Sequence, residues 1–129
     1  MPKQTQFCVG LENKPGTLAK LCGALRHANV NIDALFVCED EEGCWVNLIA
    51  TPTSGAQAVL TNEHYNYYAE DVLALMADNR PGELERIATR LGETGININY
   101  VYGSTAGNAP FMLVMHVSDL KRALKQLEE

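Results

Sequence analysis

Glu12-Asn13-Lys14-Pro15-Gly16-Thr17-Leu18 and Asp78-Asn79-Arg80-Pro81-Gly82-Glu83-Leu84 are one motif written twice: acid, Asn, base, Pro, Gly, a variable residue and Leu. The correspondence continues outward at the same spacing. Leu21 aligns with Ile87, Leu25 with Leu91, Val30 with Ile96, Asn31 with Asn97 and Ile32 with Ile98, and Pro81 follows Pro15 by 66 positions, as Asn97 follows Asn31. A repeat of this period implies two homologous units of about sixty residues, placed at residues 1–70 and 71–129.

Each unit reads as the same series of elements. Apolar runs at Phe7 to Leu11 and Val72 to Ala77 predict strands that feed the Pro-Gly turn, and Pro at the first helical position then opens a helix. Leu18, Leu21 and Leu25, like Leu84, Ile87 and Leu91, recur every three to four residues, so one stripe of each helix is buried. Asn29 and Gly95, which tolerate the left-handed conformation of a helix end, close the two helices. Val30 to Val37 and Ile96 to Tyr102 predict second strands, and Cys44 to Ala50 and Phe111 to Val117 third strands. The acidic run Glu39-Asp40-Glu41-Glu42 makes the first connecting turn, and Gly103 to Pro110 the second. Helices at Ser54 to Leu60 and Asp119 to Leu127 follow, and Tyr65 to Glu70 is a fourth strand in the first unit.

The order β-α-β-β-α-β gives the α+β class, two ferredoxin-like units with antiparallel sheets and helices on one face. Aligning the second helices leaves the second unit without its last strand. Its sheet edge would then be bare beside Val72 to Ala77, and no spare segment of the chain is available to cover it, which predicts a homodimer or larger. The strand Phe111 to Val117 is apolar on both faces and supports the same expectation.

With the strand, Asn-x-Pro-Gly-x-Leu, the helix and the Asn-Ile strand in hand, both halves resemble the ACT domain, a small amino-acid-binding regulatory module. The resemblance implies a free amino acid or similar small molecule as ligand, held between the Pro-Gly loop and the start of the second strand at an interface. Carried onto this sequence, it points to Asn13, Pro15, Gly16 and Asn31 in the first unit and to Asn79, Pro81, Gly82 and Asn97 in the second; Lys14, Arg80 and Asn99 join the expected site as polar neighbours of these residues in the sequence. Backbone N–H groups at a helix start suit a carboxylate, and side-chain amides suit either end of a zwitterion. The second unit is the stronger expectation, because Asp78, Arg80 and Glu83 surround its Pro-Gly and Asn97 and Asn99 share a strand face. The alternative is that Pro-Gly only punctuates the helix start, that Asn31 and Asn97 only tie down a turn, and that the chain is a ligand-free oligomerisation module.

Composition narrows the remaining classes. Ten Lys plus Arg stand against sixteen Asp plus Glu, a net charge of −6, which disfavours nucleic acid and anionic membranes as partners. Tyr100, Tyr102, Tyr65 and Tyr67 could be offered as base-stacking platforms, but the flanking basic residues are missing, and packing against a neighbouring unit or subunit is expected instead. No apolar run approaches the ~20 residues of a membrane helix, and the start Met1-Pro2-Lys3-Gln4 does not read as a signal peptide, so a cytoplasmic location is expected. Cys8, Cys22, Cys38 and Cys44 then read as reduced thiols, with Cys38 and Cys44 buried in strands beside the acidic turn. His27, His64 and His116 fall at no metal-ligand spacing, and no nucleophile or phosphate motif is present. The expectation is therefore a non-enzyme without metal or cofactor, with His116 a packed or interface side chain.

Overall fold

Gly16 and Gly82 hold the same backbone conformation, left-handed with φ of 91° and 87°, and each immediately precedes a helix. This conformation shifts the expected helix start. Pro15 and Pro81 lie in the turn before the glycine rather than at the first helical position, because the left-handed residue must come between the proline and the helix to turn the chain. The helices begin at Thr17 and Glu83 instead.

The computed structural model describes residues 2–127. Its elements are β1 (Lys3–Leu11), α1 (Thr17–His27), β2 (Asn31–Asp40), β3 (Gly43–Thr51), α2 (Thr53–Asn62), β4 (Asn66–Ala77), α3 (Glu83–Glu93), β5 (Ile98–Tyr102), β6 (Phe111–Val117) and α4 (Leu120–Leu127). They pack as two units, Thr5–Glu70 and a second comprising Met1–Gln4 with Asp71–Glu129.

In the first unit the sheet order is β2-β3-β1-β4. β1 pairs antiparallel with β3 through Phe7 opposite Leu48, and β2 pairs with β3 through Leu35 opposite Leu48. The β2–β3 hairpin reaches further into the acidic run than expected, as far as Asp40 opposite Gly43. The Asp40 carboxylate makes this possible by accepting the N–H groups of Glu42 (2.8 Å) and Gly43 (3.0 Å), so the turn itself needs only Glu41 and Glu42. Alternation along the strands sends Phe7, Val9, Val46, Leu48 and Ala50 to one face, where they meet Leu21 and Leu25 of α1 and Ala56, Val59 and Leu60 of α2. Tyr67 closes this core edge-on against Phe7, with ring centroids 6.0 Å apart, and Tyr65 packs beside it. Both helices therefore cover the same face.

The second unit repeats the plan. β6 lies between β4 and β5, and Leu73, Ala77, Leu113, Met115 and Val117 pack on Ile87 and Leu91 of α3 and Ala123 of α4. Ile96 N–H bonds back to Leu91 O across the left-handed Gly95, as Val30 N–H bonds to Leu25 O across the left-handed Asn29. Among the described residues no strand follows α4. The edge beside β4 is nevertheless met by the chain itself as far as Ala74: the Ala74 N–H donates to Pro2 O at 2.6 Å, and Lys3 lies 3.7 Å from Asp71. The segment 2–4 thus pairs part of the edge that was expected to be bare, because β1 starts four residues earlier than its apolar run suggests.

Two further differences come from strand placement. Glu70 and Asp71 do not separate two strands, because without Gly or Pro nothing interrupts the extended backbone and β4 runs through both charges. Cys38 is exposed rather than buried, since β2 is the outermost strand and has no neighbour beyond it, whereas Cys44 on β3 is half-buried. All four cysteines are free thiols. The one fully buried in the first unit, Cys8, is pushed up to about 11, chiefly by burial, and so stays protonated at neutral pH.

Candidate functional site

One flank of α1 carries Lys20, Ala24 and His27, spaced about one helical turn apart, and Gly16 stands just before the helix on the same side. In the first unit this flank forms one wall of an open groove of about 690 Å³. The Pro-Gly loop, with Glu12, Lys14 and Pro15, closes one end, and the turn from α2 into β4, Glu63 to Asn66, forms the other wall. The volume is in the range of small-molecule sites, roughly 300–1,000 Å³. His64 reaches the groove from a left-handed backbone (φ 62°), an uncommon conformation for a residue with a side chain. That conformation ends α2, with the Tyr65 N–H bonding to Leu60 O at 3.0 Å.

Both signs of charge line this groove. Lys14 and Glu12 form an ion pair at 2.7 Å; the hydrogen bond from Lys14 holds the Glu12 carboxyl below its ordinary range, and the same bond raises the lysine. Lys20 and Glu63 add a further cation and anion. Thr17, at the first helical position, donates its hydroxyl to Glu12 O (2.8 Å) and Lys14 O (3.1 Å), which fixes the loop.

Of the residues expected in the first unit, Lys14, Pro15 and Gly16 line this groove and Asn13 is exposed in the same loop. Asn31 does not join them. It borders a separate hollow with Cys22, Arg26 and Asn29, and its amide donates to Asp33 at 2.8 Å while Asp33 accepts the Thr51 hydroxyl. The separation follows from α1, whose eleven residues, at ~1.5 Å each, span about 16 Å between the Pro-Gly loop and the start of β2. Sequence reasoning missed Lys20, His27, Glu63, His64, Tyr65 and Asn66. The helical spacing of the first two could have revealed them; the other four depend on how the α2–β4 turn packs.

In the second unit the charges around Pro-Gly satisfy one another. Glu83 is only 6% exposed. Its carboxylate accepts the Asp78 N–H (3.0 Å) and the Arg86 Nε (2.7 Å), with Arg80 at 3.9 Å from both Glu83 and Asp78. The Arg86 hydrogen bond holds the Glu83 carboxyl below its ordinary range. Asn79 donates its amide to Gly107 O, while Pro81 and Gly82 form the turn. Asn97 and Asn99 do come together: Asn97 Nδ2 donates to Asn99 Oδ1 (2.9 Å), and Asn99 Nδ2 lies 2.9 Å from His116 Nδ1. His116 stacks on Tyr100 with centroids 5.2 Å apart. Among the described residues no cluster of His, Cys, Asp and Glu could hold a metal, and no helix is long and apolar enough to cross a membrane.

The chain belongs to the ACT domain pair family, which matches residues 3–127. Similar solved structures include a protein from Bacteroides thetaiotaomicron (TM-score 0.92, 25% identity, 98% of this chain and 88% of that one). The ligand-free regulatory subunit of aspartate kinase from Thermus thermophilus has TM-score 0.66 and 12% identity, covering 98% of this chain and 91% of that one. Aspartokinase III of E. coli in complex with lysine and aspartate has TM-score 0.58 and 17% identity, and the match covers 97% of this chain and 30% of the kinase. No curated protein matches the sequence.

Proposed function

We propose that this ACT domain pair is a regulatory protein that binds a free amino acid in the groove of its first unit and passes that state to a partner. The groove of about 690 Å³, which sets Lys14 and Lys20 near a helix start and Glu63 on the facing turn, carries the reading. A zwitterion needs both: N–H groups and a cation for its carboxylate, an anion or amide for its ammonium. The regulatory subunits of aspartate kinase with this fold are consistent with such a role. No reaction is assigned to the chain. The free thiols suit a reducing compartment such as the cytoplasm.

A thermal-shift screen of the twenty amino acids tests this. A ligand at a hundred times its dissociation constant adds about 2.7 kcal/mol, so at least one amino acid is expected to raise Tm clearly, and Lys20→Ala is expected to remove that rise. If none acts, the ligand-free interaction module replaces the amino-acid reading.

The homodimer belongs to this proposal on different grounds from those the sequence offered. Segment 2–4 pairs part of the edge of β4, but the outermost strand β2 exposes Leu35, Phe36 and Val37 in succession. Three consecutive apolar residues on an open edge favour pairing with another strand. Light scattering at micromolar concentration is expected to give the mass of two chains, and Phe36→Lys to give one; a wild-type mass of one chain at every concentration rejects the dimer.

A further inference from the structure

The internal repeat allows each unit to be read as a substituted version of the other. Glu12 corresponds to Asp78, Lys14 to Arg80 and Lys20 to Arg86, so the acid and both bases are retained, whereas position 17 is Thr and its counterpart 83 is Glu. In the second unit a carboxylate therefore sits on a loop N–H and a helix cation, Asp78 N–H at 3.0 Å and Arg86 Nε at 2.7 Å. In the first unit the equivalent side chain is a neutral hydroxyl turned back to the carbonyls of Glu12 and Lys14, and the cation, now Lys20, lines an open groove.

We infer that Glu83 is a built-in carboxylate occupying in the second unit the place that the first unit reserves for the carboxylate of a ligand. The chain accordingly takes one ligand, in the first unit, anchored by Lys20 and the N–H of Glu12. The identity of residue 17 or 83 decides whether a unit is open or closed. This rests on the amino-acid reading of the groove and deepens it: it names the group that anchors the ligand, its seat, and the stoichiometry. It also reverses the preference for the second unit, because the charges that favoured that unit in the sequence are spent on each other.

The test exchanges the two residues. Thr17→Glu supplies the first unit with the carboxylate of the second. It is expected to weaken binding of any amino acid found in the thermal-shift screen at least tenfold, measured at a temperature where the variant remains folded, while the wild type binds one equivalent per chain by titration calorimetry. Binding unchanged in Thr17→Glu, or two equivalents bound by the wild type, overturns the inference while leaving the amino-acid reading standing. Conversely, Glu83→Ala leaves Arg86 and the Asp78 N–H without their carboxylate. Sodium acetate is expected to raise the Tm of this variant more than that of the wild type, at an ionic strength matched with sodium chloride. Equal effects of acetate on the two proteins reject Glu83 as a carboxylate substitute. This arm needs no identified ligand, so it still decides the point if no amino acid binds and the functional reading falls.

Discussion

Phe7→Ala is expected to destabilise the first unit by about 3–5 kcal/mol, the range for removing a fully buried aromatic ring. Phe7 is 1% exposed and lies between the leucines of α1 and the strand residues Val9 and Leu48, so truncation leaves a void that three elements would have to move to fill. The edge-on contact with Tyr67 is lost as well. Trp45, the single tryptophan, stands on β3 of the same unit and near Tyr68, with centroids 6.2 Å apart, so its fluorescence follows unfolding of that unit in urea. The variant should show a much lower midpoint, whereas Met76→Ala, at a residue 68% exposed, should remain within about 0.5 kcal/mol of the wild type. Similar midpoints for the two variants would mean that the first core does not hold the unit together as its packing implies.

Residues whose role is repeated were the ones legible in the sequence. Leu21 and Leu25 of α1 with Ile87 and Leu91 of α3, the Asn and Gly that end those helices, and the apolar strands recur at one spacing, and each obeys a local rule of period or turn chemistry. Leu84, expected on the same buried stripe, is instead 46% exposed, and its neighbour Glu83 takes the buried place in the first turn. Features that depend on packing between distant segments were not legible. Nothing about Lys3 or Gln4 marks them as part of the strand that meets β4, because its pairing is a backbone property that polar residues satisfy as well as apolar ones. The Pro-Gly motif reads in sequence as a helix opened by proline, and only the left-handed glycine shows that it precedes the helix. The groove escaped notice for the same reason: Glu63 to Asn66 carry no motif, and they matter because a turn brings them opposite Lys20 and His27.

Position 17 and its counterpart 83 show most clearly how identical signals can mean different things. Asp78, Arg80 and Glu83 read as handles for a ligand when seen as a list, yet in three dimensions they close on each other. A net count of charges cannot distinguish an open site from a filled one. Geometry can, because a carboxylate that already accepts a backbone N–H and a guanidinium leaves those donors little capacity for another.

Gly16→Val and Gly82→Val should therefore cost similar stability and differ in function. Both glycines are left-handed, and a Cβ built on either meets no atom within 4 Å, so the penalty is backbone strain without a clash. A β-branched residue is especially unfavourable there, and each variant is expected to lose on the order of 1–3 kcal/mol. Relief of that strain would rotate the peptide between the Pro-Gly turn and the helix, moving Thr17 and Lys20 in one unit and Glu83 and Arg86 in the other. In the first unit those residues border the open groove, so Gly16→Val is expected to weaken amino-acid binding at least tenfold beyond any effect of stability. In the second unit the displaced groups pair with each other and with the Asp78 N–H and Arg80 of their own loop, and Gly82→Val should leave affinity unchanged. Calorimetric titration of both variants, at a temperature where each remains folded, separates the units. Lost binding in Gly82→Val with normal binding in Gly16→Val would place the ligand in the second unit, since two substitutions matched in strain and in surrounding space would then differ only in which loop the ligand needs.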